Sequence, residues 1–176
     1  LQFFADRVEG NLLAAHQEIQ KLALLYPAGE LRQEQVEAAV LNVARYDVFK
    51  LSDAVLGGQV QRVQRMLDGL QAEGEAEVLV HWALAEDIRA LKRVTDALRA
   101  GRPMPGALRE NRIWGPKERH FERIAPRVSP AAVARLLRSA HTVDGIVKGL
   151  KVPDWPADGW QALQRLGGQF SRVCRG

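Results

Sequence analysis

Apolar residues recur three and four positions apart along nearly the whole chain, and no run alternates apolar and polar residues between turn signals. That period lines one stripe of an α-helix and cannot line one face of a sheet. An all-α fold, a helical bundle, is the expectation. Because 47% of the 176 residues are apolar, such helices have enough material for a core, and disorder is excluded as the main state.

Punctuation marks the individual helices. Asn11 is placed to cap a helix whose face is Leu12, Ala15, Ile19, Leu22, Ala23 and Tyr26, ended by Pro27-Ala28-Gly29. A second helix is expected over Gln33 to Ala44, and Arg45-Tyr46-Asp47 then breaks the pattern as a boundary between an N-terminal piece and the main body. Val48 to Leu56 and Gln59 to Leu70 read as a helical hairpin turned by Gly57-Gly58. The longest pattern covers Glu75 to Ala100, with Val78, Trp82, Ala85, Ile88, Leu91, Thr95 and Leu98 as its apolar face. Arg102 to Gly106 reads as a loop, and Gly115-Pro116 breaks the chain before a charged amphipathic stretch. Ser129-Pro130 starts a helix to about Leu150, and Pro153-Asp154-Trp155-Pro156 precedes a last one carrying Trp160, Leu163, Leu166, Phe170 and Val173.

Several chemistries are disfavoured. The single cysteine, Cys174, excludes an internal disulfide and a cysteine zinc cage. His16, His81, His120 and His141 fall on four separate helical segments, with no second His or Cys one turn away, so no metal site is expected. Gly57-Gly58 and Gly167-Gly168 lack the lysine and the preceding strand of a phosphate loop, so no cofactor is expected either. Glu86-Asp87 beside Arg89 and Arg93 suits intrahelical ion pairing better than paired acid and base chemistry. Ser139, His141 and Asp144 share one helix and cannot line up as a hydrolase triad. No catalytic residue is assigned.

Charge is uneven along the chain. Residues 1–100 hold 11 basic and 15 acidic side chains, whereas residues 101–176 hold 14 basic and 6 acidic. The basic side chains crowd into Arg109, Arg112, Lys117, Arg119, Arg123 and Arg127, with Trp114 and Phe121 among them. Cations can neutralise phosphates and aromatic rings can stack on bases, but Glu110, Glu118 and Glu122 interleave and favour a subunit interface or a solvated face. Trp82 and Trp160 sit on apolar stripes and are assigned to the core, while Trp155, flanked by prolines, is an interface candidate. The residues put forward for DNA or subunit contact are therefore Arg109, Arg112, Lys117, Arg119, Arg123 and Trp155.

Specific stretches carry a family resemblance. Glu9-Gly10-Asn11-Leu12-Leu13-Ala14-Ala15 followed by Gln17-Glu18-Ile19-Gln20-Lys21-Leu22 is similar to a helix in the lid domain of the delta subunits of bacterial DNA polymerase III clamp loaders. Asn42 to Phe49 resembles the junction between lid and collar in that family, and Glu73-Gly74-Glu75 and Arg112-Ile113-Trp114-Gly115 resemble features of its collar. The tail after Val152 matches only by position and helical character.

The resemblance implies residues 1–46 as the C-terminal part of a helical lid domain and residues 47–176 as a collar, the oligomerisation domain. It implies a subunit that is not an enzyme by itself, within the DNA polymerase III holoenzyme, loading the sliding clamp in DNA replication. Its partners would be the gamma/tau and delta prime loader subunits, with the clamp reached only through an N-terminal domain that precedes this stretch. The chain opens on Leu1, not Met, which fits a piece of a longer polypeptide. A cytoplasmic protein with weak or indirect DNA contact and no membrane partner is expected. The alternative is a stand-alone helical nucleic-acid-binding adaptor using the basic stretch 109–127.

Overall fold

The computed structural model describes residues 16, 19, 20, 22–24, 26, 29, 32, 48 and 50–176. The Asn11 cap, the Gln33 to Ala44 helix, the Arg45-Tyr46-Asp47 boundary and most of the lid-like stretches lie outside the described residues. Within that N-terminal part, residues 16, 19, 20 and 22–24 are helical. The described residues are all-helical, with no strand among them.

Seven helices follow in order: α1 (50–56), α2 (Val60–Ala72), α3 (Glu77–Arg99), α4 (Met104–Glu110), α5 (Pro116–Ile124), α6 (Pro130–Val147) and α7 (Gly159–Arg175). The long helix α3 packs against α6, α7 and α4, and α7 packs against both α2 and α6. Between these helices lies one core, with Leu51, Leu56, Leu67, Leu84, Ile88, Leu91, Phe121, Leu163, Leu166 and Phe170 fully buried. Each such side chain contributes roughly 1.5–3 kcal/mol through the apolar surface it removes from water.

Helices α1 and α2 meet at the expected Gly57-Gly58 turn, and its geometry shows why Gly58 is there. Gly58 N–H donates to Val55 O and Gln59 N–H to Ala54 O, both at 3.0 Å, with φ +72° at Gly58. A Cβ on Gly58 would also lie 2.9 Å from the Cα of Arg175, because the turn rests on the end of α7. Gly167 serves packing: a Cβ there would lie 3.0 Å from a Val63 methyl, so the glycine lets α2 and α7 approach closely.

Helices α1, α2, α3, α4 and α6 all end in this two-bond turn, which requires a left-handed residue just past the cap. At four of them that residue is a glycine. At α4 it is Arg112, with φ +54°. The helix starts also follow the sequence: the Ser129 hydroxyl accepts from Ala132 N–H at 3.2 Å, and the Asp158 carboxylate accepts from Gln161 N–H at 2.8 Å.

Two expectations need correction. Arg102 to Gly106 is not simply a loop, because α4 begins at Met104 with Pro105 in its first turn, where a missing N–H costs nothing. Burial of Ala107 and Leu108 against the bundle holds this short helix in place. Trp82 is not core: it is 54% exposed, and Val78, one turn earlier, is 51% exposed. Trp160 is buried as expected. On α3 the core face runs instead through Val80, Leu84, Ile88, Leu91 and Thr95. Val78 and Trp82 fall on the opposite side with Glu86, Arg89 and Arg93, a side the three-and-four spacing alone could not distinguish.

Candidate interaction surface

The basic stretch 109–127 divides into two faces. Helix α5 starts at Gly115, whose N–H donates to the Glu118 carboxylate at 3.2 Å while its carbonyl accepts Glu118 N–H at 3.1 Å. Phe121 and Ile124 bury its apolar side. Flanking that side, Lys117, His120 and Arg123 each bond to a residue of another helix.

Lys117 Nζ donates to Asp87 Oδ1 at 2.7 Å, and the Ser52 hydroxyl donates to the other carboxylate oxygen. Asp87 is only 5% exposed, so these contacts compensate a charge that burial would otherwise penalise severely. His120 Nε2 lies 2.8 Å from Asp53 Oδ1. Arg123 donates Nη1–H to Cys174 O at 2.8 Å and Nη2–H to Leu56 O at 2.6 Å. A cation there satisfies carbonyls left open at the ends of α7 and α1 and complements both helix dipoles. Two of the six candidate contact residues, Lys117 and Arg123, thus serve the fold.

The outward face is different. Arg109, Arg112 and Arg119 are exposed and have no carboxylate partner among the described residues. Trp114 is 60% exposed in the turn between α4 and α5, which Ile113 anchors by its burial. Asn111, at the end of α4, accepts a 2.8 Å hydrogen bond from Arg93 Nε, and Arg93 also donates to Glu86 at 2.8 Å. Arg89 donates to the same carboxylate at 3.2 Å. Burial alone would raise the Glu86 carboxyl above its ordinary range, but the Arg93 and Arg89 guanidiniums outweigh it and hold it low. The exposed side of α3 therefore leads from Val78 and Trp82 through this ladder to the Trp114 turn.

No family model matches the chain. Over 106 residues it is 33% identical to the DNA polymerase III subunit delta of Escherichia coli (strain K12), covering 60% of this chain and 31% of that protein. Over 87 residues it is 37% identical to the DNA polymerase III subunit delta of Haemophilus influenzae, covering 49% of this chain and 25% of that protein. This chain is delta-subunit-like. It spans about a third or less of the length of these curated relatives.

In this delta-like chain, Trp155 stands apart from the other candidates. It lies between α6 and α7, half-buried, with the Arg165 guanidinium 4.3 Å from its ring centroid. Arg165 is fixed by a 2.6 Å hydrogen bond to Asp154 O. The ring forms one wall of a groove of about 470 Å³ whose other walls include Arg135, Arg138 and Arg172. Sequence reading passed over these arginines because they are spread along two helices at spacings that look like ordinary solvated positions. No described helix is long and apolar enough to cross a membrane.

Proposed function

We propose that the chain is part of a delta-type subunit of a DNA polymerase III clamp loader, with residues 47–176 as the collar that assembles with gamma/tau and delta prime subunits and residues 1–46 as part of the lid. In this reading it is a non-catalytic scaffold in sliding-clamp loading, and clamp contact belongs to a preceding N-terminal domain. The observation that supports it is the exposed Val78–Trp82 pair, one turn apart on the longest helix of a bundle whose core is already filled. Large aromatic side chains left in water on a rigid helix are the usual anchors of protein interfaces.

Co-expression with the other loader subunits, followed by size-exclusion chromatography, tests the reading. Co-elution is expected, and Val78→Asp with Trp82→Arg abolishes it while the helical melting curve stays in place. Separate elution of the unaltered chain at micromolar concentration overturns it.

A second reading, a nucleic-acid-binding adaptor, is favoured by Arg109, Arg112 and Arg119, which lie exposed without carboxylate partners among the described residues, in the stretch that also holds the exposed Trp114. It requires appreciable affinity for short DNA that falls steeply with salt. Lys117 and Arg123 have no part in it, since their charges are engaged inside the fold. Measurable nucleotide hydrolysis by the purified chain would displace both readings.

A further inference from the structure

The groove between α6 and α7 combines two properties. Four guanidiniums, those of Arg135, Arg138, Arg165 and Arg172, line it with no carboxylate among the lining residues. Arg135, Arg138 and Arg172 have no ion-pair partner among the described residues. Like charges gathered in a concave site concentrate the field and attract an anion. Ala132, Leu136, Val173 and the indole of Trp155 give the same groove an apolar part, beside the polar Ser139, Thr142 and Gln169.

An occupant that uses both features presents anionic groups and apolar side chains together. We propose that this groove docks an acidic amphipathic segment of a partner protein, with carboxylates on the arginines and aliphatic or aromatic side chains on the Leu136–Val173 floor. The groove volume of about 470 Å³ accommodates several side chains, not a single small anion. Single-stranded nucleic acid fits less well. One face of Trp155 is already covered by Arg165 and the ring packs against the core, which leaves little of it for a base to stack on. The proposal is independent of the assembly reading, whose anchors Val78 and Trp82 lie on α3.

The test uses the full chain and fluorescence anisotropy with a labelled synthetic peptide of about four helical turns, glutamates on one face and leucine and phenylalanine on the other. A scrambled peptide of equal charge and a labelled oligothymidine serve as comparisons. The patterned peptide is expected to bind more tightly than both. Arg135→Glu with Arg138→Glu is expected to weaken it by about tenfold or more. Both positions are exposed, so an unchanged melting curve distinguishes lost binding from lost folding. Arg172→Glu, from the opposite wall, gives an independent check in the same direction. Equal binding of the scrambled peptide, indifference to the charge reversals, or tighter binding of oligothymidine overturns the proposal. Because the readout needs no loader subunits, failure of the assembly reading leaves this result unaffected.

Discussion

Arg123 Nη1 donates to the main-chain carbonyl of Cys174 at 2.8 Å, tying the middle of the bundle to the last turn of its C-terminal helix. The same guanidinium holds Leu56 O at 2.6 Å, so one side chain joins three helices. Hydrogen bonds from a charged donor contribute about 1.5–3 kcal/mol each when the partners are shielded from water. Arg123→Ala is expected to lower stability by about 2 kcal/mol or more, measured by urea denaturation. Arg123→Lys should recover only part of this, because an ammonium cannot reproduce the planar fork that spans two helix ends. A melting curve indifferent to both changes would mean that the carbonyls are equally well served by water.

Cys174 sits beneath that contact. Burial pushes its thiol up to about 12, the nearby Arg123 guanidinium opposing this and the Asp87 carboxylate adding to it. The reactive thiolate is thus almost absent at ordinary pH. Thiol-reactive dye at pH 8 should label the native chain very slowly and the urea-unfolded chain rapidly. Fast labelling of the native chain would show that the end of α7 opens readily.

Arg112 occupies the left-handed position that glycine fills at four other helix ends. A side chain there is strained, and removing it should more than offset the added freedom of the unfolded chain. Arg112→Gly is expected to raise stability by roughly 0.5–1 kcal/mol. A matching loss of DNA or subunit binding would show what the arginine does at that cost. A fall in stability would mean that its side chain contributes contacts beyond the turn.

The Glu86 ladder has a pH signature. Its carboxyl is held below the ordinary range in the folded chain, so the native state binds the proton less readily than the unfolded state. Its stabilising contribution is full above the ordinary glutamate value and disappears as pH falls through the lowered one. Glu86→Gln should therefore cost roughly 0.5 kcal/mol at pH 7, a modest amount because the pair is half-exposed and screened by salt. The two melting curves should converge in acid. A gap that persists below the lowered value would show that the amide disturbs packing instead of charge.

The parts of the fold that were legible in the sequence share a physical cause. The Gly57-Gly58 turn, the Ser129-Pro130 start and the end of α3 at Gly101 depend on local backbone geometry, which residue identity controls directly. The candidate contacts were read less well. Lys117 and Arg123 resembled free cations because their partners, a carboxylate 30 residues away and two main-chain carbonyls, leave no trace in local composition. Trp82 resembled core because steps of three lead from it through Ala85 to Ile88 and Leu91, although such steps drift round the helix and the buried stripe runs on the other side.

By itself the sequence determined that this chain builds amphipathic helices, where most of them start and stop, and that its later half is strongly basic. Those properties depend on short-range sterics, hydrogen-bonding capacity and charge. Tertiary structure alone decided which arginines turn inward as fasteners, which tryptophans remain in water, and that four guanidiniums from two helices line one groove. Each of those outcomes depends on distances between residues remote in sequence, which only the packing of the helices establishes.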